Sequence, residues 1–128
     1  MYHVDVTWKG ETTVLCSDTK GNELLLDWDN SLSPVQVMVQ MAGTCSMIDI
    51  ITGMKDRVFK DLFVGIDYER NDIEPRYVTK MKLTFNISTD PKWDKFIRRL
   101  IEQSMKKYCS VSNTMSGVTE ITWELKLN

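Results

Sequence analysis

Apolar and polar positions alternate along His3-Val4-Asp5-Val6-Thr7-Trp8, and Lys9-Gly10 ends the run. A period of two predicts a strand with one buried face. Thr12-Thr13-Val14-Leu15-Cys16 is β-branched and apolar, and Glu23-Leu24-Leu25-Leu26-Asp27-Trp28 forms a third such stretch. The cluster Asp18-Thr19-Lys20-Gly21-Asn22 between them carries turn chemistry. Three short strands punctuated this way predict an antiparallel meander.

The pattern changes at Ser33-Pro34. Ser33 suits a helix cap, Pro34 the first helical position, and Gln36 the third residue of a capping box. From Val37 to Met54 apolar residues occupy nearly every face, and Lys55-Asp56-Arg57 ends the run. A helix that is apolar all round is buried on all sides. A chain of 128 residues can rarely enclose about 30 Å of such helix. A second subunit over the remaining face is the economical expectation.

Two strands follow, Leu62–Tyr68 and Arg76–Ile87, joined through Asn71-Asp72-Ile73-Glu74-Pro75. In the second, Met81, Leu83, Phe85 and Ile87 alternate with Lys80, Lys82, Thr84 and Asn86, so one face is wet. Asp90-Pro91 opens a second long helix whose stripe is Trp93, Phe96, Ile97, Leu100, Ile101, Met105 and Tyr108. A short turn after Ser112 leads to a final alternating strand, Glu120–Leu127. The expected fold is α+β, in the order β-β-β-α-β-β-α-β, with two long helices packed on antiparallel sheet. Residues 1–128 read as a single domain.

Composition narrows the function classes. A net charge of -2 removes nucleic acid as the default partner. No unbroken apolar run reaches the length of a membrane span, and the N-terminus lacks a signal-peptide pattern. Three widely spaced cysteines, Cys16, Cys45 and Cys109, do not form a secreted disulfide framework. A reducing cytoplasm is the natural compartment.

The candidate chemistry lies in Cys45, inside the first long helix, and Cys109, at the end of the second. A redox thiol must be ionised in part, reachable, and close to a second thiol that captures its sulfenic acid. An apolar helix middle works against ionisation, so a nearby cation is needed. Free cysteine also serves as a small buried apolar group, and that alternative stays open. Cys16 reads as packing on a strand. His3, Cys16, Cys45 and Cys109 lack the short spacings of a metal site. The basic residues of the 92–107 helix read as a solvated face, interrupted by Asp94 and Glu102.

Ser33-Pro34, then Cys45-Ser46-x-Ile48-Asp49, then Lys55-x-Arg57 resembles the first-cysteine helix of the OsmC/Ohr family (osmotically inducible protein C and organic hydroperoxide resistance protein). Lys107-Tyr108-Cys109-Ser110-Val111-Ser112 resembles the family's second-cysteine segment. Glu69-Arg70 and Pro75 are similar to a shorter branch of the family. The resemblance implies a bacterial oxidative-stress protein that forms an intertwined homodimer with its long helices at the centre. It implies Cys45 as the peroxidatic thiol and Cys109 as the resolving one, acting on a hydroperoxide at the subunit interface. No bound cofactor is implied, only an external dithiol reductant.

One departure matters. The family's enzymes hold the thiolate with an arginine from the N-terminal strands, oriented by a glutamate near the start of the first-cysteine helix. Here no arginine precedes Arg57, and Val35-Gln36 stands where the glutamate is expected. Arg57 is twelve residues past Cys45, about 18 Å along a straight helix, so it cannot serve from there. Lys9, Lys107, Arg70 or Arg76 are the alternatives, with the partner subunit as a further source. The departure opens a second expectation: a non-enzymatic dimer that senses redox state or holds a small apolar ligand.

Overall fold

The turn residues fall where the chain reverses. In the computed structural model, which describes residues 1–128, β1 (Val4–Gly10), β2 (Thr13–Asp18) and β3 (Glu23–Asp27) form an antiparallel sheet in that order. Gly10 and Glu11 turn the chain at φ +105 and +49. Asp18 accepts the Lys20 and Asn22 N–H groups at 2.8 and 2.9 Å, which folds the second turn onto Gly21. The register puts Val6 opposite Cys16 and Cys16 opposite Leu24, with Trp8 opposite Val14 and Val14 opposite Leu26. Residues directly opposite share a face, so one side of this sheet is apolar and Cys16 sits at its centre.

These strands and the first turn of the long helix make up one compact unit, Met1–Met38, and Val39–Asn128 makes up the other. Helix α1 runs Pro34–Met54. Its start carries the expected capping box, with the Gln36 N–H on Ser33 Oγ (3.2 Å) and the Ser33 N–H on Gln36 Oε1 (2.8 Å).

In the second unit, β4 (Phe59–Arg70), β5 (Val78–Thr89) and β6 (Glu120–Leu127) form a sheet in that order. Ile66, Leu83 and Trp123 are paired across it, as are Val64, Phe85 and Leu125. Met81, Leu83, Phe85 and Ile87 are buried, and each fully buried large side chain contributes roughly 1.5–3 kcal/mol. The opposite face is charged, with Lys82 paired to Glu124 at 3.0 Å.

Two features differ from the sequence reading. The sheet is mixed and not wholly antiparallel, because β6 runs parallel to β5. The connection between them must therefore cross over, and helices supply it. The second helix is also not one piece. A 3-10 turn (Pro91–Trp93), helix α2 (Asp94–Gln103), a π turn (Ser104–Tyr108) and a separate short helix α3 (Ser110–Met115) follow one another. Asp90 caps the first turn by accepting the Lys92 N–H at 2.9 Å.

Helix α1 is long and apolar enough to cross a membrane by length and composition, a property that counting unbroken apolar runs did not reveal. It is a core helix in this fold. Val39, Ala42, Ser46, Ile50 and Met54 are buried along it. Gly43 approaches Ile66 of β4, and Gly53 approaches Leu100 of α2. The sequence reading expected every face covered, yet Met41, Ile48 and Ile51 are 44%, 58% and 48% exposed in the single chain.

Candidate active site

Ala42, Cys45, Ser46, Asp49 and Gly53 recur on α1 at helical spacing and so share one side of it. That side meets the crossover. Leu100 of α2 fills the notch at Gly53. Ser104, the first residue of the π turn, donates to Asp49 Oδ2 at 2.7 Å and lies 3.3 Å from Ser46 Oγ. Ser46 and Ser104 are fully buried, so these bonds satisfy hydroxyls that would otherwise be costly to bury.

The π turn sets where Cys109 falls. The Cys109 N–H donates to the Ser104 carbonyl at 2.7 Å, closing the wide turn. Cys109 then adopts an extended conformation and caps α3, its Sγ accepting the Ser112 N–H at 3.4 Å. The same sulfur lies 3.1 Å from Ser112 Oγ and 3.7 Å from the Ala42 carbonyl oxygen, either of which can take the thiol proton. Cys109 is completely buried.

The fold brings the two expected thiols together. Burial pushes the Cys109 thiol above its ordinary range, and the adjacent Cys45 thiol pushes it further up through hydrogen bonding and charge. The Ser112 hydroxyl and N–H pull the other way and do not win. None of the groups that shift Cys109 is a lysine or arginine. Cys45 is partly exposed, so the pair has one reachable sulfur and one sealed one.

A family profile for OsmC-like protein matches residues 28–124. The chain belongs to the OsmC family. It is 31% identical to Protein YhfA of Escherichia coli K12 over 124 residues, 91% of each chain. The fold of this OsmC protein is shared with the OsmC-like protein from Mycoplasma pneumoniae (TM-score 0.81, 15% identity, 99% and 96% of the chains covered). It is also shared with an organic hydroperoxide resistance protein from Elizabethkingia anophelis (TM-score 0.71, 17% identity, 100% and 98% covered).

Within this OsmC chain two of the candidate cations, Arg70 and Arg76, are engaged with backbone carbonyls of their own hairpin. Arg70 Nε donates to the Arg76 carbonyl at 2.9 Å, and Arg76 Nε to the Asn71 carbonyl at 3.3 Å, at the tip of the β4–β5 hairpin. Lys107 Nζ stands 5.3 Å from the centre of the Tyr108 ring. Lys9 lies on β1 and Cys16 on β2, in the first unit. No cluster of three or more His, Cys, Asp or Glu side chains suited to a metal ion is present.

Sequence reasoning missed the polar support. Asp49 and Ser46 belonged to the motif that carried the resemblance, but no role was assigned to them. The available signal was a serine and a carboxylate one and four residues after Cys45, on the cysteine's side of an otherwise apolar helix. Ser112 and Ser104 gave a weaker signal, three residues after Cys109 and five before it.

Proposed function

We propose that this protein reduces organic hydroperoxides with Cys45 as the attacking thiol and Cys109 as the resolving one. The observation that carries this is the meeting of a partly exposed thiol with a buried, proton-retaining one. An oxidant can reach only the first. The Cys45 thiolate attacks the outer oxygen of a hydroperoxide, the O–O bond breaks, and the departing alkoxide takes a proton to become the alcohol. Cys45 is then a sulfenic acid. The Cys109 sulfur attacks it, a disulfide forms, and water leaves with the Cys109 proton. Exchange with an external dithiol returns both thiols and oxidises the dithiol.

The acting form is a homodimer in this proposal. Met41, Ile48 and Ile51 on α1, and Val4, Val6, Trp8 and Leu24 on the apolar face of the first sheet, are all substantially exposed in one chain. A second copy supplies the surface they need and, across that interface, a place for the apolar part of the hydroperoxide. Three free cysteines suit the reducing cytoplasm.

The test is direct. Reduced protein treated with cumene hydroperoxide yields a Cys45–Cys109 disulfide by mass spectrometry, with one equivalent of alcohol formed. Both thiols remaining free, with the hydroperoxide unconsumed, rejects the proposal.

A second reading is favoured by one observation, the absence of any arginine before Arg57, in the strands where the family's enzymes carry the guanidinium that holds the attacking thiolate. In it the dimer holds a small apolar ligand or senses redox state without turnover. Retention of a fluorescent apolar probe that Cys45→Ser leaves unchanged, with no peroxide consumed by the wild type, supports that reading over the first.

A further inference from the structure

Cys109 does not hold its position alone. Its sulfur touches the Ala42 carbonyl and Ser112, but its backbone is set by the turn before it, and that turn is tied to α1 through a polar cluster. Ser104 begins the π turn, accepts the Cys109 N–H at 2.7 Å on its carbonyl, and donates its hydroxyl to Asp49 at 2.7 Å. One residue therefore ties the backbone of Cys109 to the side chain of Asp49. Asp49 stands one helical turn beyond Cys45, so both ends of the thiol pair are referred to the same stretch of α1. Ser46 Oγ, at 3.3 Å from Ser104 Oγ, closes the cluster from the position next to Cys45.

A π turn is a weak element by itself. Such turns are rare, and they occur mostly as single turns at functional sites. Here the extra residue rotates the chain so that Cys109 leaves the helix and its sulfur turns back toward Ala42 and Cys45. A regular α-helical continuation, without that extra residue, would turn residue 109 about 100° away from that position. Something must select the π geometry, and the Ser104–Asp49 bond is the specific contact at its first residue. The bond joins a fully buried hydroxyl to a carboxylate, and such bonds are about twice as strong as those between neutral groups.

We propose that Asp49 and Ser104 are positioning residues that set the effective concentration of Cys109 at Cys45. The inference deepens the thiol-pair reading above and rests on it for its biological use. Its physical content is the equilibrium between dithiol and disulfide. With the latch intact, the two thiols are held as neighbours and the disulfide is favoured over two separate mixed disulfides. With the latch broken, the π turn relaxes, and the same two sulfurs meet less often.

The experiment needs no hydroperoxide. Equilibrate the full-length protein in defined mixtures of reduced and oxidised glutathione at neutral pH, quench with acid, and quantify the Cys45–Cys109 disulfide by mass spectrometry, with Cys16→Ser in every variant. In this exchange one oxidised glutathione is reduced to two glutathione thiols for each protein disulfide formed. Ser104→Ala lowers the equilibrium constant about tenfold, the effect of one charge-assisted hydrogen bond. Asp49→Asn, which keeps an acceptor of the same shape without the charge, lowers it about threefold. Lys126→Ala, which removes an exposed side chain on β6 whose ion-pair partner is Glu124, leaves it unchanged. Circular dichroism establishes that each variant is folded. If Ser104→Ala does not fold, Asp49→Asn carries the decision.

Equal constants for the wild type and a folded latch variant overturn the inference, as does a wild type that forms no intramolecular disulfide in any glutathione mixture. The hydroperoxide assay is separate. A wild type that equilibrates with glutathione as described, but ignores cumene hydroperoxide, sinks the peroxidase proposal and leaves the latch standing.

Discussion

The guanidinium of Arg57 lies with its central carbon 3.8 Å from the centre of the Phe96 ring and 4.6 Å from that of Trp93. Its Nη1 also reaches the Met54 carbonyl at 3.4 Å, at the end of α1, while its Nε is buried without a partner. The contact fastens the C-terminus of one helix to the start of the next by stacking. Arg57→Ala is expected to lower stability by about 1–2 kcal/mol, combining a partly desolvated cation–π contact with a lost carbonyl partner. Arg57→Lys recovers less than half of this, because an ammonium lacks the flat face that stacks. Urea denaturation followed by tryptophan fluorescence measures both.

Gly53 is required by packing. A Cβ there would stand 2.5 Å from Leu100 Cδ2 and 3.0 Å from its Cδ1, so the whole isobutyl group would have to move. Gly53→Ala therefore destabilises by about 1–3 kcal/mol from overpacking, set against roughly 1 kcal/mol of gained helix propensity. Gly43→Ala meets only the end of Ile66, at 2.9 Å, and its two effects nearly cancel. The double variant Gly53→Ala/Leu100→Ala is expected to show favourable coupling in a thermodynamic cycle.

The thiols should separate by reactivity. In native protein at pH 8, iodoacetamide labels Cys45 well before Cys109, which is completely buried and holds its proton above the ordinary thiol range. Cys109 labels only after addition of denaturant. Peptide mapping at timed intervals reads the order, and equal rates at the two sites would contradict the described burial.

Asp27 gives the first sheet a marked acid dependence. The Thr12 hydroxyl, together with Asn30, holds its carboxyl down at about 2. A depressed carboxylate stabilises the fold above its unfolded value near 4 (about 3.9 for a free aspartate). That contribution disappears as pH falls through the folded value. The difference in melting temperature between wild type and Asp27→Asn should therefore be constant above pH 5 and shrink between about pH 4 and pH 2.

Ile48, at 58% exposure the most open apolar residue on α1, tests the second subunit. Ile48→Asp places a charge in the centre of the face proposed to be covered. Sedimentation velocity is expected to show a dimer for the wild type and a monomer for the variant.

Much of this was legible in the residues. Turn chemistry located the meander, and the Ser33/Gln36 pair located the start of α1. The alternation through Met81–Ile87 and Glu120–Leu127 assigned the inward faces of the main sheet. β4 was read short because Lys60 and Asp61 interrupt its pattern, where the register shifts and Asp61 takes φ +55. The direction of β6 was not legible, since an alternating strand looks the same whether it pairs parallel or antiparallel. The π turn was hidden for a related reason. The apolar stripe runs on through Met105 to Tyr108, and periodicity does not report where one residue too many is accommodated. The Cys45–Cys109 meeting followed from the motifs, whereas the Ser104–Asp49 latch depends on a non-local register that no spacing encodes.

Cys45 and Cys109 flank the β4–β5 hairpin in the chain. A covalent bond between them would close a ring containing that hairpin and all of α2, leaving the first sheet and β6 as tails outside it. Tethering a loop of that length removes enough disorder from the unfolded chain to favour the native state by about 4 kcal/mol. The oxidised protein would then melt well above the reduced one, making thermal resistance a record of the last oxidant encountered.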